Sequence, residues 1–169
     1  MRTAAISVAL LQLLGCGARP SERVATACPE PVRASTVTGS PAETVAAYLE
    51  ATAAGDLDRA ATLVVDESVV FESGGDEGTW SHYREHHLGP EVEQFAAFEI
   101  RPGEMRTTTS HDGTLAIDTL PLEYDITLKG DGRRIESAGT ATFSLVPADG
   151  RYRIAHVHWS SRRRGGPSH

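Results

Sequence analysis

The sequence predicts an α+β domain in which three helices come first and long antiparallel strands follow. Capping signals and helical periodicity fill the first half of the domain, whereas apolar–polar alternation with three glycine-containing turns fills the second half. Helices and strands segregated in this way are typical of α+β folds. A strongly bent sheet that wraps around the helices would close such a domain, so we expect a bent, mixed or antiparallel sheet.

The first sixteen residues have the pattern of an export signal. Arg2 precedes an apolar run over residues 3–14 that is too short to span a membrane as a mature helix, and Leu-Leu-Gly-Cys16 follows. This ending resembles the lipobox of bacterial lipoproteins, in which the cysteine becomes the acylated N-terminus. We therefore expect residues 1–15 to be a signal peptide and Cys16 to be a lipid anchor. An ordinary signal peptide that contains a cysteine is the alternative.

Residues 16–39 are predicted to be the anchor and a flexible tether, because they are rich in Pro, Ser, Thr and Ala without helical periodicity. The domain would then work outside the cytoplasm. Gly17 after the cysteine favours, by resemblance, the outer membrane facing the periplasm in a cell with two membranes; otherwise the cell surface is expected. Cys28 has no neighbouring histidine or acid to activate its thiol, and its role stays open. Without lipidation it could pair with Cys16.

Two helices open the domain. Ser40, Pro41 and Glu43 form a capping box with proline at the first helical position, and the apolar periodicity that follows predicts the first helix. Gly55 is expected to end it, and Asp56 to cap a second helix that continues to about Leu63.

A short strand over residues 69–71 and a mobile acidic loop over residues 74–78 come next. A third helix is predicted from near Ser81 to Leu88, ended by Gly89 and Pro90. Helical spacing places aromatic and imidazole side chains on one side of it: Trp80, His82, Tyr83, His86 and His87.

Four long strands are predicted over residues 96–109, 114–129, 133–146 and 151–161. Alternation along the last strand places His156 and His158 on one face with Ile154, and Val157 and Trp159 on the other.

This order of elements resembles the nuclear transport factor 2-like fold and, within it, the SnoaL-like group. The resemblance rests on the segments 46–51, 54–58, 69–72 and 152–161. It implies a domain over residues 40–162, followed by a basic tail over residues 163–169, and a cystatin-like roll whose helices cover a conical pocket on the concave side of the sheet. It also implies that the face of the last strand with the histidines looks into this cone.

The candidate pocket residues are aromatic, imidazole and carboxylate side chains: Glu72, Trp80, Tyr83, His86, His87, Tyr124, His156 and His158. We expect them to bind a small ligand without catalysis and without a required cofactor. A copper or zinc site formed by His86, His87, His156 and His158 is the second hypothesis. Strand histidines also occur as wall residues that only hydrogen-bond to their neighbours.

An acid/base enzyme of the isomerase, cyclase or dehydratase type is the third hypothesis. It is weakened because the buried Asp base and Tyr/Asp pair of the fold's isomerases cannot be placed in this sequence. Asp118 and Asp125 are separated by an odd number of residues, so at most one of them points inward.

The net charge and the family resemblance limit the kinds of partner that we expect. The 169 residues carry a net charge of −7, which argues against nucleic-acid binding. The Arg162–Arg164 cluster is expected to be a solvated tail, and contact with anionic lipid or phosphate is the alternative. The resemblance implies a homodimer through the convex side of the sheet, where Val157 and Trp159 are expected to lie. The lipid anchor would be the contact with the membrane.

Overall fold

A computed structural model describes residues 37–164, which form one mixed sheet and a set of short helices. The predicted signal peptide, Cys16, Cys28 and residues 165–169 lie outside the described residues. The helices are α1 (Pro41–Ala53), α2 (Leu57–Ala61), α3 (Trp80–Tyr83), a π-helical turn (Arg84–Leu88) and α4 (Gly89–Val92). The strands are β1 (Val64–Glu72), β2 (Gly75–Thr79), β3 (Phe95–Pro102), β4 (Arg106–Thr109), β5 (Ala116–Leu128), β6 (Arg134–Ala148) and β7 (Arg151–Arg163). No helix in the described part is long and apolar enough to cross a membrane.

The strands are ordered β2-β1-β7-β6-β5-β3, and β4 pairs with β5 beside β3. β1 runs parallel to β7, and all other pairs are antiparallel, so the sheet is mixed. α1 contacts β3, β5 and β7, although two of these strands lie on opposite sides of β6. The sheet therefore curves around α1, and this concave side holds the core.

The first two helices begin where the sequence predicts. Ser40 Oγ accepts from the Glu43 N–H at 3.2 Å, and the Glu43 carboxylate accepts from the Ser40 N–H at 2.6 Å, which completes the capping box. Gly55 has a φ of +71°, a left-handed conformation that suits a helix end. Asp56 caps α2 through a hydrogen bond from the Arg59 N–H.

The predicted acidic loop is a strand. β1 extends over Val64–Glu72, and β2 returns antiparallel to it over Gly75–Thr79. The two central residues of the turn, Ser73 and Gly74, both have positive φ, as a two-residue type I′ hairpin requires. The prediction was wrong because this turn carries Ser-Gly instead of the common Asn-Gly.

The expected stop at Gly89 and Pro90 was also wrong, because the helix continues through them. The Gly89 N–H bonds to the Arg84 carbonyl five residues earlier, which makes a π-helical turn. A Cβ on Gly89 would lie 2.5 Å from that oxygen, so only glycine fits. Pro90 then falls in the first turn of α4, where a missing N–H is tolerated.

The last strand reverses its alternation at a β-bulge. Leu145 pairs with Ile154 and Ser144 pairs with His156, so Ala155 is an extra residue on β7. Ile154 is buried as predicted, but beyond the bulge Val157 is buried and His158 is exposed.

Beyond Ala155, each side chain of β7 therefore points to the opposite side of the sheet from the one predicted. Trp159 faces the concave side, and His156 and His158 face away from it. Strand β7 also continues to Arg163, two residues past its predicted end, and the Arg164 N–H donates to the Glu136 carbonyl at 2.8 Å.

The close approach at Gly89 generates a stability prediction. Gly89→Ala should lower the free energy of unfolding by roughly 1–3 kcal/mol, because the new methyl group forces the π-helical turn apart. Its helical φ of −61° gives alanine no other penalty. Gly130→Ala is the matched control, since nothing lies within 4 Å of its added Cβ. Urea unfolding should separate the two variants, and equal stabilities would contradict the role of Gly89.

Candidate functional site

A cavity of about 70 Å³ lies between the helices and the concave side of the sheet. It is about half the size of a cavity that holds benzene, roughly 150 Å³. Side chains of α1, β1, the helical segment 80–92, β3, β5 and β7 line it: Tyr48, Thr52, Val70, Glu72, Tyr83, Leu88, Glu91, Phe95, Phe98, Tyr124, Ile126, Val157 and Trp159. The lining is mostly aromatic and aliphatic.

One wall is a row of four aromatic rings across the sheet. Ring centroids are 5.5 Å apart between Phe95 and Phe98, 6.1 Å between Phe98 and Tyr124, and 5.7 Å between Tyr124 and Trp159, all edge-to-face. Phe95 and Phe98 share this face because Ala96 forms a bulge in β3. The Tyr124 hydroxyl is fixed by Ser161 Oγ at 2.7 Å.

The opposite wall carries two tyrosines that stay neutral. Tyr48 comes from α1 and Tyr83 from α3, and burial raises the pKa of both, helped by the nearby charge of Glu72. Trp80 packs behind them, with ring centroids 5.4 Å from Tyr48 and 5.9 Å from Tyr83. Both phenols therefore remain hydrogen-bond donors at physiological pH.

A carboxylate stands between the two walls. Glu72 ends β1 and is paired in register with Trp159 of β7, and Tyr83 Oη donates to its Oε2 at 2.6 Å. Within residues 37–164, no other group donates a hydrogen bond to this side chain and no cation pairs with it. Glu72 is thus the one charged group that β1 presents to the cavity.

An imidazole lies beside the cavity between two further carboxylates. His87 Nδ1 is 2.8 Å from Glu77 Oε2, and His87 Nε2 is 3.5 Å from Glu91 Oε1. Burial by itself would lower the pKa of His87, but the hydrogen bond with Glu77 and the charges of Glu91 and Glu72 raise it. Burial and the charge of Glu72 raise the pKa of the Glu91 carboxyl, against the opposing effect of His87. Glu77 reaches His87 because it is the extra residue of a bulge in β2.

The structure separates the predicted site residues into three groups. Glu72, Tyr83 and Tyr124 line the cavity. Trp80 supports the wall from behind, and His87 lies beside it. His86 is exposed and stacks on His82 outside the cavity, at a centroid distance of 4.6 Å.

The placement of His156 and His158 in the cavity was wrong. Both lie on the other face of the sheet, where His156 contacts the exposed ring of Phe71, because the bulge at Ala155 reverses the strand. The assignment of Val157 and Trp159 to an outer dimer face was wrong for the same reason.

Several cavity residues were not predicted, in particular Thr52, Glu91, Phe95 and Phe98. Phe95 and Phe98 are three residues apart, so simple alternation assigns them to opposite faces. No local signal marks the bulge that brings them together.

The four histidines of the metal hypothesis are not assembled. Among residues 37–164, no three His, Cys, Asp or Glu side chains are arranged to hold a metal ion.

Both aspartates considered at the sequence level are buried, and neither lines the cavity. Asp125 is held by Arg134 at 2.6 Å and Arg101 at 2.9 Å, and the hydrogen bond with Arg134 leads the effects that lower its pKa. Asp118 is completely buried, and burial raises the pKa of its carboxyl.

Comparisons with known proteins agree with this architecture. A family model described as a SnoaL-like domain matches residues 42–163. The chain is similar to a nuclear transport factor 2-like superfamily protein from Salmonella enterica serovar Typhimurium, at 19% identity and a TM-score of 0.64, covering 73% of this chain and 89% of that chain. No curated protein matches the sequence.

Two further solved structures are similar. A candidate ketosteroid isomerase from Shewanella frigidimarina is 27% identical, with a TM-score of 0.58 and coverage of 70% of this chain and 92% of that chain. The hexachlorocyclohexane dehydrochlorinase LinA-type3 from Novosphingobium barchaimii is 12% identical, with a TM-score of 0.60 and coverage of 76% and 90%. The α+β class and the nuclear transport factor 2-like fold are thereby confirmed.

Burial of Asp118 generates a pH prediction. A raised folded-state pKa means that stability is greatest while the carboxyl is protonated, and that it declines as pH rises from about the ordinary value of 3.8 through the raised value. Asp118→Asn should remove this decline and stabilise the protein at pH 7 by roughly 1–3 kcal/mol. Melting temperatures across this pH range provide the measurement. Asp66→Asn, at an exposed position, is the control. A less stable Asp118→Asn variant at pH 7 would disprove the assignment.

Proposed function

The chain belongs to the SnoaL-like domain family, and from that premise we propose that it binds a small, largely apolar organic molecule in the cavity. The observation that carries the proposal is the convergence of two aromatic walls on one carboxylate–tyrosine pair, Glu72 and Tyr83. Apolar walls with a few convergent polar groups are the usual composition of small-molecule sites. Membership of the family does not by itself select the ligand, since one fold hosts many functions.

The dimensions of the cavity limit what enters it. A volume of about 70 Å³ accommodates a small group and not a polycyclic molecule. A larger ligand would therefore insert one end and leave the rest towards solvent, or would displace side chains of the helical segment 84–92.

A polar side chain of the cavity lining is available to such an inserted group. Thr52 lines the cavity and is 5% exposed. Its hydroxyl lies beside the Tyr48 phenol, whose pKa it lowers against the larger, opposing effect of burial. A ligand with one polar atom would meet this Thr52–Tyr48 pair.

We also propose that the protein is exported and anchored to the cell envelope through Cys16, with the tether holding the domain off the membrane. This part rests on the sequence resemblance alone. A homodimer through the outer face of the sheet, which carries the exposed side chains of Phe71 and Ile117, is proposed as well.

Proton transfer on a bound ligand is the second candidate function. Two carboxyl groups line one cavity and support this candidate: Glu72, which accepts a hydrogen bond from Tyr83 at 2.6 Å, and Glu91, whose pKa is raised chiefly by burial. The similarity to the candidate ketosteroid isomerase agrees with such chemistry. An enzyme would need Glu72 for turnover of its substrate but not for binding of a neutral ligand, and Glu72→Gln separates the two.

Ligand binding is tested with a panel of small aromatic probes that have one ring: benzene, toluene and phenol. Titration calorimetry on the full chain should show saturable binding, and Phe98→Ala should weaken it about tenfold by removing apolar contact area. Phe71→Ala is the matched control, because Phe71 is exposed on the other face of the sheet. The proposal fails if no probe binds, or if the two substitutions have the same effect.

Anchoring is tested by feeding a clickable palmitate analogue to bacteria that express the full chain. Fatty-acid label should attach to the wild type and to Cys28→Ala, and be absent from Cys16→Ala. Label that persists in Cys16→Ala would refute the anchor.

A further inference from the structure

We propose that the cavity selects ligands that carry a positively charged alkylammonium group over neutral and anionic ligands of the same shape. This inference names the ligand class and rests on the proposed function. It follows from how charge, aromatic faces and hydrogen-bond acceptors are distributed around Glu72.

The ionisable carboxyl groups of the lining have no matching basic partner there. Glu72 and Glu91 line the cavity, and no Lys or Arg is among its described lining residues. The imidazole beside the cavity, His87, is engaged by Glu77 at 2.8 Å and by Glu91 at 3.5 Å. An anionic ligand would therefore enter beside carboxylates with no arginine or lysine to receive it.

Glu72 differs from the structural carboxylate of the same sheet. Asp125 is held by two guanidinium groups within 3 Å, at 2.6 and 2.9 Å. Glu72 has instead one neutral hydroxyl, from Tyr83, and its Oε1 has no hydrogen-bond donor within residues 37–164. A charged carboxylate in a largely apolar wall is costly unless it is paired. A cation on the ligand would supply the missing partner.

The neighbouring side chains are those that attract organic cations. Trp159 pairs in register with Glu72, so a cation held by the carboxylate lies beside the indole. Cations bind most strongly over the ring face of tryptophan, and next over that of tyrosine. Three tyrosines also line the cavity: Tyr48, Tyr83 and Tyr124.

Burial is the main cause that raises the pKa of Glu91, and the charge of Glu72 adds to it, which agrees with an excess of negative charge at this place. A compact charged head of a few heavy atoms fits a cavity of about 70 Å³.

Three probes of the same shape test the charge preference. Choline is the cation, 3,3-dimethylbutan-1-ol is its neutral isostere, and 3,3-dimethylbutanoate is the anion. Titration of the full chain, followed by Trp159 fluorescence and by calorimetry, should give choline an affinity about tenfold or more above that of the alcohol. Trp80→Phe removes the fluorescence of the second tryptophan.

Two variants locate the preference. Glu72→Gln should lower the affinity for choline to that of the alcohol, so that the preference for the cation disappears. Trp159→Leu should reduce the preference several-fold without changing a carboxylate. Glu104→Gln, at an exposed position, is the control and should behave as the wild type.

The outcomes separate this inference from the proposed function. Equal or tighter binding of the alcohol or of the anion overturns the charge preference and leaves ligand binding intact. A choline preference that persists in both Glu72→Gln and Trp159→Leu overturns it as well. If none of the three probes binds while the aromatic panel does, only the charge preference is lost; if neither set binds, both proposals are lost.

Discussion

The site depends on the two-residue alternation of β-strands and on the bulges that interrupt it in β2, β3 and β7. Ala96 in β3, Glu77 in β2 and Ala155 in β7 each add one residue opposite a single partner. The bulge in β3 brings Phe98 to the face of Phe95, and that in β7 turns Trp159 inward. The backbone register thus decides which side chains meet in the cavity.

Local signals in the sequence predicted the starts of the first two helices and the three glycine-containing turns of the second half, because caps and turns depend on a few adjacent residues. The capping box at Ser40 and the cap at Asp56 are examples. The Ser73–Gly74 turn was missed. Bulges leave no such signal, since one extra residue changes neither composition nor hydrophobicity. The faces of β7 were therefore exchanged from Ala155 onward, and His158 was assigned to the cavity in place of Trp159. Glu72 and Tyr124 lie in stretches of β1 and β5 that alternate regularly, and Tyr83 lies on a helix, so register shifts do not affect their placement in the cavity.

Two carboxylates of the sheet, those of Asp125 and Glu72, are stabilised by different kinds of neighbour. Asp125 is neutralised by two partly exposed arginines from adjacent strands, and these ion pairs link β5 to β3 and β6. Glu72 is held by a tyrosine that burial keeps protonated. The arginines of the protein pair with the carboxylate of Asp125. The carboxylate of Glu72 has one hydrogen bond, from Tyr83, and its other oxygen can bind a ligand. That contrast distinguishes a structural acid from one available for recognition.

The π-helical turn at Arg84–Leu88 is similar to the bulges, because it also contains one residue more than a regular helical turn. All four features correspond to the insertion of a single codon. Divergent members of such a fold could therefore exchange the side chains that face the cavity through short insertions and deletions, while the sheet order stays the same. Residue-by-residue alignment of distant relatives would then pair cavity positions with solvent positions, so equivalent residues are better identified from superposed backbones than from aligned sequences.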